Sequence, residues 1–129
     1  MKVGVIGVGS MGVNHARVYT GLGAELIGVA DIDAGAAERA ATRYGATAYT
    51  SYEGLLKNSL DAVSIAVPTS LHKEISLAVI EKGVNLLIEK PIADSIESAR
   101  EIIAAAQARR VKLMVGHIER FNPAVQKLK

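Results

Sequence analysis

A short apolar run that opens into a cluster of glycines constrains the fold of this chain more than any other feature. Residues 3–6 read Val-Gly-Val-Ile, and the next six read Gly-Val-Gly-Ser-Met-Gly. Asp31 comes about 20 positions after Gly12, at the end of a second apolar run. This order predicts a buried strand, a tight turn, a helix, and a second parallel strand that ends in an acid.

The three glycines of this loop have separate physical roles. Gly7 permits the tight turn out of the strand, Gly9 has no Cβ to keep a pyrophosphate away, and Gly12 lets the helix pack closely on the sheet. The start of that helix presents free N–H groups and the positive end of its dipole. These properties predict a site for the phosphates of a dinucleotide, with a glycine turn that binds no ligand as the alternative.

Asp31 indicates which dinucleotide would bind. A carboxylate at this position can accept both ribose hydroxyls of the adenosine and would repel a 2′-phosphate. No Arg or Lys occupies the next few positions, so NAD is favoured over NADP. The alternative for Asp31 is a helix N-cap, but Asp33 can serve that purpose equally well. We therefore assign Asp31 to the ribose and Asp33 to the cap.

Composition restricts the class of protein. The chain has 129 residues, of which 50% are hydrophobic and 22% charged, as in one globular domain. The formal net charge is +2 and no basic stripe alternates with aromatic residues, so nucleic acid is not indicated. The lack of cysteine excludes disulfides and thiolate chemistry. No apolar run approaches a membrane span and no signal peptide is convincing, so we expect a cytoplasmic protein without a membrane partner.

Strand and helix patterns alternate along the chain. The sequence predicts strands over 3–6, 25–30, 47–50, 61–67, 84–88 and 111–115, and helices over 10–22, 34–44, 52–57 and 70–82. Asp94 is expected to cap a further helix whose buried face is Ile96, Ala99, Ile103 and Ala106. A last helix begins at Pro123. Apolar strands separated by helices predict an α/β fold, a doubly wound parallel Rossmann sheet in three layers with strand order 3-2-1-4-5-6.

Ligands of such a sheet bind outside the carboxyl ends of its strands, so the residues after each strand are site candidates. Val67, Pro68 and Thr69 follow the fourth strand, and His72 lies in the first turn of the next helix. His72 is either a contact of the nicotinamide half of the cofactor or a surface residue. The hydroxyls of Thr69 and Ser70 have helix capping as their alternative role.

An acid and a lysine follow the fifth strand, in the sequence Glu89-Lys90-Pro91. Beside a nicotinamide, Lys90 can hydrogen-bond a substrate hydroxyl and ease its loss of a proton during hydride transfer. A surface salt bridge is the alternative, and the Lys90–Pro91 bond is a candidate for the cis form. His117 and Arg120 follow the sixth strand, as substrate contacts or as part of a domain junction. No spacing typical of metal ligands occurs, so we expect no metal site.

Together these residues resemble the N-terminal half of the Gfo/Idh/MocA family, which includes glucose–fructose oxidoreductase and inositol dehydrogenase. The motifs that carry the resemblance span nearly the whole chain, and Glu89-Lys90-Pro91 is the most specific of them. The resemblance implies that Lys90 is the active-site lysine and that Glu89 is its neighbour in the site. It also implies that His72 lies near the nicotinamide ribose, and Arg120 near the substrate or the nicotinamide.

The resemblance further implies an NAD(P)-dependent dehydrogenase that oxidises a hydroxyl of a sugar, a cyclitol or a nucleotide sugar. Members of the family continue with a second α/β domain that provides most substrate contacts and the main oligomer interface. We therefore expect residues 1–129 to be the cofactor domain, with 117–129 leading into that second domain, and the intact protein to be a homo-oligomer. The chain alone is expected to bind NAD with little or no activity. The alternatives are an NAD-binding sensor or regulatory module and an NAD-assisted glycosidase domain.

The residues expected to contact the cofactor lie at one edge of the predicted sheet. They are Gly7, Val8, Gly9, Ser10, Met11, Gly12, Asp31, Ile32, Val67, Pro68, Thr69, His72, Glu89 and Lys90. Lys90 is in addition the expected catalytic residue, and His117 and Arg120 are the expected substrate contacts.

Overall fold

The strands of this chain are short apolar segments that pair into one parallel sheet. The computed structural model describes residues 1–128, and the strands in that part are β1 (Lys2–Ile6), β2 (Glu25–Ala30), β3 (Thr47–Tyr49), β4 (Ala62–Ile65), β5 (Asn85–Ile88) and β6 (Leu113–Val115). Their order is β3-β2-β1-β4-β5-β6, and every neighbouring pair is parallel. The predicted doubly wound sheet is confirmed. Its order reverses between β1 and β4, which is where such sheets bind ligands.

Helices cover both faces of the sheet. In residues 1–128 they are α1 (Ser10–Gly21), α2 (Ala34–Tyr44), α3 (Tyr52–Leu55), α4 (His72–Glu81), α5 (Ile96–Arg109) and α6 (Pro123–Leu128), with 3₁₀ turns at Thr69–Leu71 and Ile118–Phe121. Because side chains alternate along β1, Val3 and Val5 pack in a cluster with Ala16 of α1, while Ile6 packs in the cluster that contains Ile75 of α4. None of the helices of residues 1–128 is long and apolar enough to span a membrane.

Two helices begin later than predicted. Ser95, not Asp94, caps α5, and its hydroxyl accepts the N–H three residues further on at 3.0 Å. Both residue types are good caps, so the sequence did not distinguish two neighbouring positions. Helix α4 begins at His72 because a 3₁₀ turn takes up residues 69–71. Strand β4 ends at Ile65, so the residues up to 67 form the turn rather than the strand.

The buried face of α5 also differs from the prediction. Ile102 is fully buried, whereas Ile96 is 75% exposed and Ile103 is 42% exposed. Ala106 is buried as expected, and Ala99 is half-buried. Ile102 and Ile103 are both at helical spacing from Ala106, so periodicity alone does not decide which one faces the core. Packing of α5 against α4 selects Ile102.

Candidate functional site

Residues that follow the central strands lie side by side at the carboxyl edge of the sheet. The backbone N–H groups of Gly7, Ala66, Glu89 and Gly116 each donate to a carbonyl of a neighbouring strand, at 2.7–2.9 Å. Each residue therefore extends the hydrogen-bond ladder one step beyond its own strand. This edge brings the glycine loop (residues 7–12), the Glu89-Lys90-Pro91 turn and the start of the final segment together.

The glycines of the loop separate into two kinds. Gly7 has φ +89°, and a Cβ built on it would overlap the Ala66 carbonyl oxygen. A Cβ on Gly12 would overlap the carbonyl oxygen of Gly7, so the fold itself requires these two glycines. At Gly9, by contrast, no heavy atom of residues 1–128 lies within 4 Å of such a Cβ. The space above Gly9 is therefore open to a ligand, as expected of the glycine that lets a pyrophosphate approach.

Among residues 1–128, no side chain caps the N-terminus of α1 or of α4, whereas three other helices have side-chain caps. Asp33, Ser51 and Ser95 cap α2, α3 and α5, each by accepting a backbone N–H with a side-chain oxygen. Helix α1 begins after Gly9, and no side chain among residues 1–128 caps it. Its first N–H groups therefore remain available to an anion at the positive end of the helix dipole.

Asp31 lies against this loop and is half-buried. Its Oδ2 accepts a hydrogen bond from the Val8 N–H at 2.9 Å, and its Oδ1 accepts one from the Asp33 N–H at 2.9 Å. A carboxylate has about four lone-pair sites, so these two bonds leave acceptor capacity for ribose hydroxyls. Asp33 caps α2 by accepting the Ala36 N–H at 3.1 Å, as predicted. Ile32 stands beside the acid with 92% of its surface exposed.

On the other side of the glycine loop, a cleft of about 350 Å³ opens at the carboxyl ends of β4, β5 and β6. It is lined by Met11, Ala66, Val67, Glu89, Lys90, Gly116 and Ile118. Four of the predicted cofactor residues are thus brought together here. Lys90 is exposed, and its peptide bond to Pro91 is cis.

His72 is one of the least exposed side chains, with 1% of its surface accessible. The ring places Nδ1 2.9 Å from the Pro91 carbonyl oxygen and Nε2 3.0 Å from the Val67 carbonyl oxygen. The surface-residue interpretation of His72 is therefore wrong. The ring joins the turn after β4 to the turn that carries Lys90, and its contact with a nicotinamide stays a prediction.

The remaining predicted residues lie at the rim of the site. Within residues 1–128, neither Thr69 nor Ser70 caps a helix with its hydroxyl, so the capping alternative is wrong. Pro68 is exposed and Thr69 is half-buried. His117 and Arg120 are exposed and flank the cleft-lining Ile118, and their contact with a substrate stays a prediction.

A hydrogen-bond network beneath the cleft, centred on His15 of α1, was not predicted from the sequence. His15 Nε2 lies 2.6 Å from Glu89 Oε1, and His15 Nδ1 lies 2.9 Å from the hydroxyl of Ser64 in β4. The Tyr19 hydroxyl lies 2.6 Å from the same Ser64 oxygen. The side chains of His15 and Glu89 are each 12% exposed. The available signal was Ser64, a polar residue in an otherwise apolar buried strand.

Comparison with known proteins agrees with this geometry. Residues 1–117 match the family described as "Oxidoreductase family, NAD-binding Rossmann fold", GFO_IDH_MocA. This chain belongs to the Gfo/Idh/MocA family. The resemblance of its motifs is thereby confirmed, and the chain is an NAD-binding Rossmann domain of an oxidoreductase family.

Individual relatives are similar over the whole chain. It is 41% identical over 129 residues to UDP-N-acetylglucosamine 3-dehydrogenase of Acidithiobacillus ferrooxidans, covering 100% of this chain and 41% of that protein. It is 39% identical over 134 residues to inositol 2-dehydrogenase 4 of Saccharopolyspora erythraea, covering 100% of this chain and 40% of the relative. The chain thus spans about two fifths of the length of these relatives.

A solved structure extends the comparison to geometry. The WlbA dehydrogenase of Chromobacterium violaceum, in complex with NADH and UDP-GlcNAcA, has a TM-score of 0.95 and 32% sequence identity. The match covers 100% of this chain and 38% of that chain. The two chains therefore share the Rossmann architecture over the whole of the shorter one.

Proposed function

We propose that this chain binds NAD along the carboxyl edge of its sheet, with the pyrophosphate over Gly9 and the start of α1. The open space above Gly9 carries this proposal, because no heavy atom of residues 1–128 lies within 4 Å of a Cβ built there. Asp31 would accept the ribose hydroxyls of the adenosine half, with Ile32 beside it. Since the dinucleotide crosses the switch point between β1 and β4, its nicotinamide half would enter the cleft that Glu89 and Lys90 line.

We propose further that the protein containing this chain is a dehydrogenase that oxidises a hydroxyl group. NAD, when bound, accepts a hydride from the carbon that carries the hydroxyl. Lys90 Nζ would hydrogen-bond that hydroxyl and ease the loss of its proton to a base supplied by the rest of the intact protein, so that the alcohol becomes a carbonyl. Met11, Val67 and Ile118 supply apolar walls that would limit water in the cleft.

The proposed substrate class is a sugar, a cyclitol or a nucleotide sugar. Named relatives include a UDP-N-acetylglucosamine 3-dehydrogenase and an inositol 2-dehydrogenase. Because the chain spans about two fifths of those relatives, we propose that a second domain supplies the main substrate contacts and the interface of a homo-oligomer. The segment after Gly116, with His117 and Arg120, would lead into that domain. A cytoplasmic location is part of the same proposal.

Turnover by the intact gene product tests the proposed reaction. UDP-N-acetylglucosamine and myo-inositol would be offered with NAD while the absorbance of NADH is followed. Lys90→Ala is expected to lower kcat by about a hundredfold or more, the usual contribution of a group that manages a proton. Lys57→Ala, which changes an exposed lysine outside the cleft, is the matched control. Equal turnover in the wild type and Lys90→Ala would contradict the role of Lys90, and NAD binding without turnover of any hydroxyl substrate would favour a sensor.

A further inference from the structure

The hydrogen bonds around His15 fix how the pair of His15 and Glu89 is arranged. An ionised carboxylate only accepts, so the hydrogen bond between His15 Nε2 and Glu89 requires a proton on Nε2. In the neutral ring Nδ1 then accepts from the Ser64 hydroxyl, which in turn accepts from the Tyr19 hydroxyl. Both ring nitrogens of His15, the Ser64 hydroxyl and the Tyr19 hydroxyl each have a partner in this arrangement. His15 is thereby oriented on one side and holds Glu89 on the other.

Glu89 is confined from a second direction. A Cβ built on Gly116 would lie 3.1–3.2 Å from the carboxylate atoms of Glu89, so this side chain lies across the end of β6 as well as β5. Gly116 itself is buried and lines the cleft. The carboxylate therefore has little freedom to move and stands in the wall of the cleft. It does not pair with Lys90 within residues 1–128, since the ion pairs found there are His15–Glu89 and Lys73–Glu101.

We propose that Glu89, positioned by His15, makes the cleft favour oxidised over reduced cofactor. This inference rests on the proposed function, because it places the nicotinamide in the cleft. The oxidised nicotinamide ring carries a positive charge, whereas the reduced ring is neutral. A fixed carboxylate in a partly dehydrated cleft attracts the positively charged oxidised ring. It has little electrostatic interaction with the neutral reduced ring. His15 is a positioning residue, since it acts only by holding Glu89.

Affinities of NAD+ and NADH for this chain test the proposal without any substrate. The ratio of the NADH Kd to the NAD+ Kd would be measured by calorimetry for the wild type and for Glu89→Gln, which keeps the shape and removes the charge. The ratio is expected to fall by about tenfold in Glu89→Gln, the order expected for one pair of nearby unit charges. Glu81→Gln removes the same charge at the far end of α4 and should leave the ratio unchanged.

His15 variants separate positioning from general stability. Gln reaches about as far as imidazole Nε2 and still donates, so His15→Gln should keep most of the wild-type ratio, while His15→Ala should lower it toward that of Glu89→Gln. Nitrogen NMR of the wild-type chain without cofactor should show a proton on His15 Nε2. The proposal is overturned if Glu89→Gln binds both forms with the wild-type ratio, or if His15 Nε2 carries no proton. Failure of the wild type to bind either form would instead contradict the proposed function.

Discussion

The Val8 N–H donates to Asp31 Oδ2 at 2.9 Å, so the loop after β1 and the acid after β2 form one hydrogen-bonded unit. The acid thereby shapes the glycine loop before any ligand arrives. The same carboxylate accepts from Asp33 on its other oxygen. The proposed ribose and phosphate sites are in this way held at a fixed distance from each other, which is how a preorganised site reduces the entropy cost of binding.

Replacing Asp31 should change cofactor choice. Asp31→Ala removes the ribose acceptor, the Val8 bond and the charge that repels a 2′-phosphate. We expect NAD affinity to fall by about tenfold or more, and the ratio of NADP Kd to NAD Kd to fall toward one. Asp33→Ala is the control, because that residue caps α2 and should cost about 1 kcal/mol of stability without changing the preference. Calorimetric titration measures the ratio of NADP Kd to NAD Kd for both variants. An unchanged ratio in Asp31→Ala would refute the assignment of Asp31 to the ribose.

Gly9→Ala should separate binding from folding. Its Cβ meets no atom of residues 1–128, so the free energy of unfolding should change by less than about 1 kcal/mol. The same methyl would stand where the pyrophosphate approaches, so NAD affinity should fall by about tenfold or more. Urea unfolding measures the free energy of unfolding, and calorimetry on the same preparation measures the NAD affinity. Wild-type affinity in a folded Gly9→Ala would place the phosphates elsewhere.

Gly12→Ala should behave in the opposite way. The added Cβ would overlap the carbonyl oxygen of Gly7, so α1 must move away from the sheet. We expect a loss of about 3 kcal/mol or more in the free energy of unfolding, at the upper end of the cost of overpacking because the overlap is with backbone. Circular dichroism during urea unfolding measures this loss. A Gly12→Ala protein as stable as Gly9→Ala would mean that the two glycines are not distinguished by the fold.

His72→Ala should destabilise the chain although it changes no residue that lines the cleft. It would leave a cavity and remove the ring that packs between the Val67 and Pro91 carbonyls, to one of which a neutral imidazole donates. We expect a loss of about 2–4 kcal/mol, from lost packing and one lost hydrogen bond. His117→Ala, at an exposed histidine, should stay within about 0.5 kcal/mol of the wild type. Equal stability of the two variants, measured by urea unfolding, would contradict the bracing role of His72.

The features that the sequence predicted best are those fixed by local backbone geometry and by the connection of neighbouring strands. The glycine loop needs glycines for reasons of backbone geometry, and Asp31 follows at the spacing of one βαβ unit, so both were identifiable before the structure. The strand order followed from apolar runs and from the handedness of crossovers. Lys90 was identified from its position after the fifth strand, and the fold places it in the cleft.

Contacts between distant segments were not predictable in the same way. His15 reaches Glu89 across 74 positions, and nothing local to either residue specifies the other. The burial of His72 depends on carbonyls of the Pro91 turn, whose position is set by the tertiary fold. The face of α5 was mispredicted at Ile103 because the neighbouring Ile102 fits the same period. In each of these cases several contacts were compatible with the local sequence, and tertiary packing determined which one forms.

Calorimetric titration of NAD and of NADP into this chain of 129 residues tests the proposed NAD site most directly. We predict saturable binding of one NAD per chain, with NADP bound at least about tenfold more weakly because of the Asp31 carboxylate. Absence of NAD binding by the folded chain, or NADP binding as tight as NAD, would contradict it.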